Sequence, residues 1–394
     1  MIRHLLRLCW NRKTSQVLLG LELLISYLIL TTLCTLAFQS WVTYHLPLGF
    51  EYRNVWSVRM EREKGQPSPA DSAAMQQVYL LLKGTEGVEG VAEVASPPFD
   101  RVRGYAIEKL NGQSLQFQSS AGNDDLAAVL RLDLVAGRWF SPEDDGIREQ
   151  PVVLNQLLAN HLFGDQDPIG RTIIFGEDSY CARVVGVVSD HRQDGPFEPP
   201  AYFLFRRTKL DRPISWLPTS FLIRLKPGTP RNLERQLVGQ LQAVAPGWTA
   251  NIFALEEDYQ ARIRSQIQMI RSGVAVVGVI LFLVVLGLVG VMWQNVTRRT
   301  REIGIRRASG ATRAGIYRQI VGEMLVLTTL AILVGVVLVV QASVLDFFPS
   351  VSIGVYAAGL CGGAILLYLF ITTATLYPGW LATRIQPAQA LHCD

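Results

Sequence analysis

The sequence predicts an α-helical membrane protein with four transmembrane helices, plus a mixed, two-lobed α/β domain inserted between helices 1 and 2 on the extracytoplasmic side. Three observations predict it. Four segments, about 17–38, 273–293, 320–340 and 354–376, are almost free of charge. The roughly 230 residues between the first two alternate short strand and helix patterns. Arginine is crowded onto one side of the spans. Charged residues make up 18% of the 394 and hydrophobic ones 49%, where soluble domains carry about 25% charged.

Each apolar segment is long enough to cross the hydrocarbon core, which takes roughly 20 residues of helix. The first is read as a retained anchor. Its apolar run exceeds a signal-peptide core, and no small-x-small cleavage site follows. Arg3, Arg7, Arg12 and Lys13 precede it, and seven arginines fall within 298–318, between the second and third segments. The loop 341–353 holds no Lys or Arg. Both termini are therefore expected in the cytoplasm. Ile2, Leu5, Leu6 and Cys9 share one face of an amphipathic segment at the inner surface.

The outer domain reads as strands at 55–60 and 88–94 around a helix at 70–83. A hairpin at 105–118 turns on Asn111-Gly112, a strong type I′ signal. A helix is expected over 124–134, ending at Gly137, then a strand at 151–154 and a helix to Phe163. Further strands fall at 171–175, 182–188, 202–206 and 221–225. A helix at 230–244 and a strand at 249–254 close the domain. The expected layout is an N-terminal segment 1–16, helix 1 at 17–40, and the outer domain at 41–255. Within that domain lie a membrane-proximal lobe (50–96 with 217–255) and an inserted lobe (97–216). Stalk and helix 2 follow at 256–296, a cytoplasmic loop at 297–319 and helix 3 at 320–341. An outer loop at 342–353, helix 4 at 354–377 and a tail at 378–394 complete it.

Leu255, Tyr259, Ile263, Ile267 and Ile270 recur at helical spacing and run straight into span two, with no glycine or proline before Gly273. They form the expected stalk stripe. Chemistry-bearing motifs are sparse. No Gly-Lys dipeptide occurs, so the phosphate-binding loop G-x-x-x-x-G-K-[ST] is missing from this sequence. His161, Cys181, Asp190, His191 and Asp194 fit no tight metal-ligand spacing, and no nucleophile elbow is found. The arginines flank spans, which argues against nucleic acid. Glu22 and Glu323 lie near the cytoplasmic ends of their spans, where carboxylates snorkel or pair with loop arginines.

Four motifs carry a family resemblance. Arg301-Glu302-Ile303-Gly304-Ile305-Arg306-Arg307-Ala308, then Gly310-Ala311, follows span two, with Ser309 where the family carries Leu or Ile. Gly137-Arg138-Trp139-Phe140 precedes Asp144-Asp145. Leu162-Phe163-Gly164-Asp165 leads to Asp167-Pro168-Ile169-Gly170-Arg171 and Val184–Val188. The tail holds Tyr377-Pro378, Ala382, Pro387-Ala388 and Ala390-Leu391. The chain thus resembles the FtsX/MacB-type permeases of ABC transporters, with a MacB-like periplasmic core domain, over nearly its whole length.

The resemblance implies a non-catalytic inner-membrane subunit of a bacterial cell that transmits ATP-driven motion to its periplasmic domain, for export or efflux. ATP and Mg would be bound by a separate cytoplasmic ABC ATPase, in two copies, with no cofactor on this chain. It implies a second permease copy or paralogue and admits a periplasmic adaptor protein and membrane lipid as partners. Residues 301–308, 310 and 311 would couple to the ATPase. The alternatives are a lipoprotein-release or cell-division subunit, and a membrane receptor with an outer sensing domain. Single cysteines placed within 298–318 are expected to react with impermeant maleimide only after the cytoplasmic face is opened. Labelling from outside intact cells would reverse the topology.

Overall fold

A computed structural model describes residues 13–62, 69–100, 106–110, 113–146, 149–175, 180–208, 219–230, 232–298, 312–344 and 352–383. Two compact units divide it: Thr43–Ile267, and Met1–Val42 with Gln268–Asp394.

The first unit is built on a mixed sheet. Strands β1 (Val55–Arg62), β2 (Val88–Val94), β10 (Ser220–Leu225) and β11 (Trp248–Ala254) run in the order β11-β1-β10-β2, all antiparallel to their neighbours. The two strand–helix–strand stretches therefore interleave: β10 lies between β1 and β2. Helices α2 (Pro69–Gly84) and α5 (Leu233–Val244) cover one face through Met75, Val78, Leu82, Leu237 and Leu241. Every residue of β10 is buried, and its alternation shows why. Phe221, Ile223 and Leu225 join the helical face. Leu222 joins the opposite core, and Arg224 donates to the carbonyls of Val129 (2.6 Å) and Glu51 (3.2 Å). Burial of those carbonyls satisfies the guanidinium and the main chain together.

A Val94–Gly122 pairing joins β2 to β4 (Gln113–Gly122). Beyond it lie β3 (Ala106–Leu110), β5 (Leu134–Gly137), β6 (Gln150–Asn155), β7 (Thr172–Phe175), β8 (Tyr180–Val188) and β9 (Phe203–Arg207). β6–β8 and β4–β9 are parallel; β3–β4, β7–β8, β5–β8 and β6–β9 are antiparallel. Leu110 faces Gln113 across the expected hairpin; its turn, 111–112, lies outside the described residues. Helix α4 (Gln156–Phe163) is capped by Asn155, whose Oδ1 accepts from the Leu158 amide at 3.1 Å.

One expectation is corrected. The helix expected over 124–134 is only α3, Leu126–Leu130. Arg131 takes φ 49°, a left-handed C-cap, and 134–137 pairs with β8 as a strand. The helical spacing is local; the strand pairing with β8 overrides it. Gly137 (φ 69°) turns the chain there, and Gly186 opposite lies so close to the Arg138 carbonyl that no Cβ fits.

Among the described residues there are four long apolar helices, as expected, with most of their length in the second unit: α1 (Lys13–His45), α6 (Leu255–Arg298), α7 (Arg313–Val344) and α8 (Ile353–Thr383). Leu19, Leu23, Tyr27 and Leu30 of α1 pack against Met324, Leu327 and Ala331 of α7 and Leu367 and Ile371 of α8. Small residues set the approach. Gly359 and Gly363, one helical turn apart, lie against Thr35 and Thr31, and Gly335 lies against Tyr27, with no room for a Cβ. Outward-facing Val279, Leu283, Leu333 and Leu369 are about 60% exposed, as side chains that meet lipid should be.

Asn155→Ala should cost about 2–3 kcal/mol locally. The Asn155 side chain also donates to Asp190 (3.1 Å) and the Ala201 carbonyl (2.9 Å), and it accepts from the Phe203 amide (3.0 Å). Hydrogen exchange over 150–163 in the full chain should rise on that scale; a change under threefold contradicts the assignment.

Candidate coupling site

The expected coupling residues, Arg301, Glu302, Ile303, Gly304, Ile305, Arg306, Arg307, Ala308, Gly310 and Ala311, lie outside the described residues. Their borders are described. Helix α6 ends at Arg298 and α7 starts at Arg313. Thr312 caps α7 as its chemistry suggests: Oγ1 accepts from the Gly315 amide at 3.2 Å.

The stalk residues occupy the first turns of α6, one helix of 44 residues. Leu255 is fully buried in the core formed by Leu130, Trp139, Phe140, Phe203 and Phe205. The Tyr259 ring stacks on Tyr52 at 4.4 Å and leans on Phe99 at 5.6 Å. Ile263 and Ile267 are half-buried, and Ile270 is exposed. The stripe is therefore anchored in its first two turns and frees itself beyond.

Polar contacts on the same helix went unread in the sequence. Arg262 approaches Asp194 at 3.9 Å and donates to the Asp100 carbonyl at 3.4 Å. Gln266 donates to Glu198 Oε1 at 3.4 Å. Both side chains lie off the apolar stripe, so periodicity could not mark them. The segment that leaves α1 meets the same region: the Arg192 amide donates to the Leu48 carbonyl at 2.9 Å. Burial holds the Arg192 guanidinium below its usual pKa, partly offset by Tyr259 and Glu198.

The residues weighed as metal ligands have other tasks. Asp190 accepts from Asn155 and from the Leu157 amide (2.9 Å). Asp194 accepts from Gln118. His161 Nδ1 meets Tyr202 Oη at 3.1 Å. His191 packs among the Phe50, Phe203 and Phe205 rings. Cys181 is exposed on β8. In the second unit, Glu22 reaches the backbone of α6 at Gly287, where a Cβ would meet its Oε1 at 2.7 Å. Buried Glu323 accepts from Gln319 at 3.2 Å, within its own helix.

The Gly137–Asp145 motif is a scaffold for this region. Arg138 grips buried Asp144 with both nitrogens, at 2.8 and 2.5 Å, and the Ser141 amide donates to the same carboxylate at 3.0 Å. Arg207 holds Asp124 and Asp145 at 2.6 Å. Trp139 is thereby set against Phe205 at 5.3 Å.

Residues 18–240 match the family model of the MacB-like periplasmic core domain, and residues 274–387 match the FtsX-like permease C-terminal model. The macrolide export ATP-binding/permease protein MacB of Chromobacterium violaceum is 28% identical over 287 residues, 68% of this chain and 42% of that protein. The probable syringafactin export ATP-binding/permease protein SyfD of Pseudomonas syringae pv. tomato is 28% identical over 284 residues, 68% of this chain and 38% of that one. The chain thus spans less than half the length of these two. The uncharacterized ABC transporter permease YknZ of Bacillus subtilis is 24% identical over 337 residues, 79% of this chain and 78% of that protein. The crystal structure of the periplasmic region of MacB from Actinobacillus actinomycetemcomitans aligns with 55% of this chain at 16% identity and a TM-score of 0.39.

The Arg138 hydrogen bonds, above all, hold the Asp144 carboxyl below the ordinary aspartate value of about 3.9, against the opposing effect of burial. Its stabilisation is therefore complete above that value and fades as pH falls through the lowered one. Asp144→Asn should cost about 2 kcal/mol at neutral pH and flatten the acid dependence of exchange in 137–145. An unchanged acid profile would refute this.

Proposed function

Because the chain belongs to the family of ABC transporter permeases that carry a MacB-like periplasmic core domain and an FtsX-like permease region, we propose that it conveys motion from a separate ATPase to an outer domain. The α/β unit stands outside the inner membrane, inserted between spans one and two, and both termini are cytoplasmic. Two copies of the permease, or one and a paralogue, assemble with two ATPase subunits. Nucleotide and Mg reside in the ATPase. When the ATPase dimer closes on ATP, residues 301–311 are pushed, and the displacement travels along α6.

The observation that carries this reading is the continuity of α6. It runs from the end of β11 to Arg298 without a break, a length of about 66 Å at 1.5 Å per residue. Inside hydrocarbon its main chain bonds only to itself, so bending is costly. Tyr259 and Leu255 fasten its outer end to the domain. The match along 78% of the permease YknZ supports an ATPase on another chain.

Export is the task the relatives' names support. Work on a substrate is done by the outer domain, in keeping with the apolar packing of Leu19, Leu23, Leu30, Leu327 and Leu367 between the spans.

Purification of the full chain from its own host in mild detergent should bring an ABC ATPase with it. Gly304→Val or Arg306→Ala should then lower transport-linked ATP turnover about tenfold while the complex stays intact. A complex without any nucleotide hydrolase, or full turnover in both variants, would overturn the proposal.

A further inference from the structure

Fourteen residues, 189–202, connect β8 to β9, and Asp190–Glu198 forms a loop within them. Loops ordinarily stay at the surface, yet His191, Arg192 and Gln193 are only 2%, 3% and 2% exposed. An arginine this deep needs specific partners, and here they are carbonyls. Arg192 donates to Leu46 at 2.8 Å, Pro196 at 2.5 Å and Glu198 at 2.8 and 3.2 Å. Leu46 belongs to the segment leaving α1, and Pro196 and Glu198 to the loop itself. One planar fork therefore ties the two stretches of main chain together. Gly49 (φ 78°) seals the contact, lying so close to the Asp190 carbonyl that no side chain fits. Phe197 leans on Tyr44 at 5.3 Å.

The same loop holds α6 through Asp194–Arg262 and Glu198–Gln266. It holds the sheet by a third set of bonds. The Gln193 side chain donates to the Ser96 carbonyl at 2.9 Å and its main-chain carbonyl accepts from the Phe99 amide at 2.9 Å, while Asp190 is held by Asn155 at the end of β6. A row of rings runs beside these bonds. Tyr259 touches Phe99, Phe99 touches Phe50 at 5.6 Å, and Phe50 touches His191 at 4.9 Å. His191 touches Phe203 and Phe205 of β9, at 4.6 and 5.1 Å.

We propose that the Asp190–Glu198 loop is the joint through which displacement of α6 and of the α1 exit segment is delivered to strands β6 and β9. The proposal rests on the transmission reading above and names the residues that perform it. Packed rings and short charge-assisted bonds yield little to compression, so a shift at Tyr259 or Leu46 moves the loop as a body. The loop's bonds through Asp190 and Asp194 end on Asn155 of β6 and Gln118 of β4, and its His191 ring meets Phe203 and Phe205 of β9, so these strands must follow or break contact.

Hydrogen exchange of the full chain in lipid nanodiscs tests this in two arms. Without nucleotide, Tyr259→Ala should speed exchange in 150–155 and 203–207 at least fivefold, leave helices 69–84 and 233–244 unchanged, and be rescued by Tyr259→Phe. Rates within twofold of the native chain at 150–155 and 203–207, or a rise of equal size in the two helices, overturn the joint. In the complex with the co-purified ATPase, ATP should alter exchange in both 255–267 and 203–207. Arg192→Lys should keep the first response and lose the second; a preserved second response also overturns the joint. If ATP alters neither segment of the native complex, the transmission reading fails, and the first arm alone decides the joint.

Discussion

Hydrocarbon offers a peptide group no hydrogen-bond partner. A chain that crosses it must satisfy every N–H and C=O from within, and helix is the form that does so locally. Four stretches of this protein obey that constraint, and much else follows. Side chains on the span surfaces are free to be apolar, because the backbone is already paired. Association between helices then cannot draw on a hydrophobic gain, since lipid is as apolar as leucine. Close approach takes its place: Gly335, Gly359 and Gly363 bring α7 and α8 against Tyr27, Thr31 and Thr35 of α1. The same constraint keeps α6 continuous through its apolar portion.

The α/β unit works under the opposite rule. Water competes for its polar groups, so buried ones are retained only where several bonds converge. Arg192 and Arg224 donate to main-chain carbonyls, and Asn155 donates to the Ala201 carbonyl and the Asp190 carboxylate. Such contacts hold segments in place without depending on side-chain packing alone, and each lies where chain ends from distant parts of the sequence meet. Arg138–Asp144 and Arg207–Asp124 serve the neighbouring corner, fixing Trp139 against β9.

Family membership and architecture agree on one consequence. The arginine-rich segment 298–318 and the loop 190–198, with its buried polar bonds, are linked along the chain by a single helix whose first turns contact the loop and which ends at Arg298.

By itself the sequence determined the four apolar spans, most of the strand positions from 55 to 254, the strand pair either side of Asn111-Gly112 and the start of α6 at Leu255. All of these are local: hydropathy over about 20 residues, alternation over five, a capping threonine one turn away. The tertiary structure decided what is non-local. It placed β10 between β1 and β2, and it turned 134–137 from the expected helix into a strand on β8. It set Glu22 against Gly287, and it gave Asp190, His191 and Asp194, which the sequence offered only as poor metal ligands, their places in one loop. Arg192 reaches a carbonyl 146 positions earlier in the chain. No periodicity records a bond of that kind, because the acceptor is main chain and its residue identity leaves no mark.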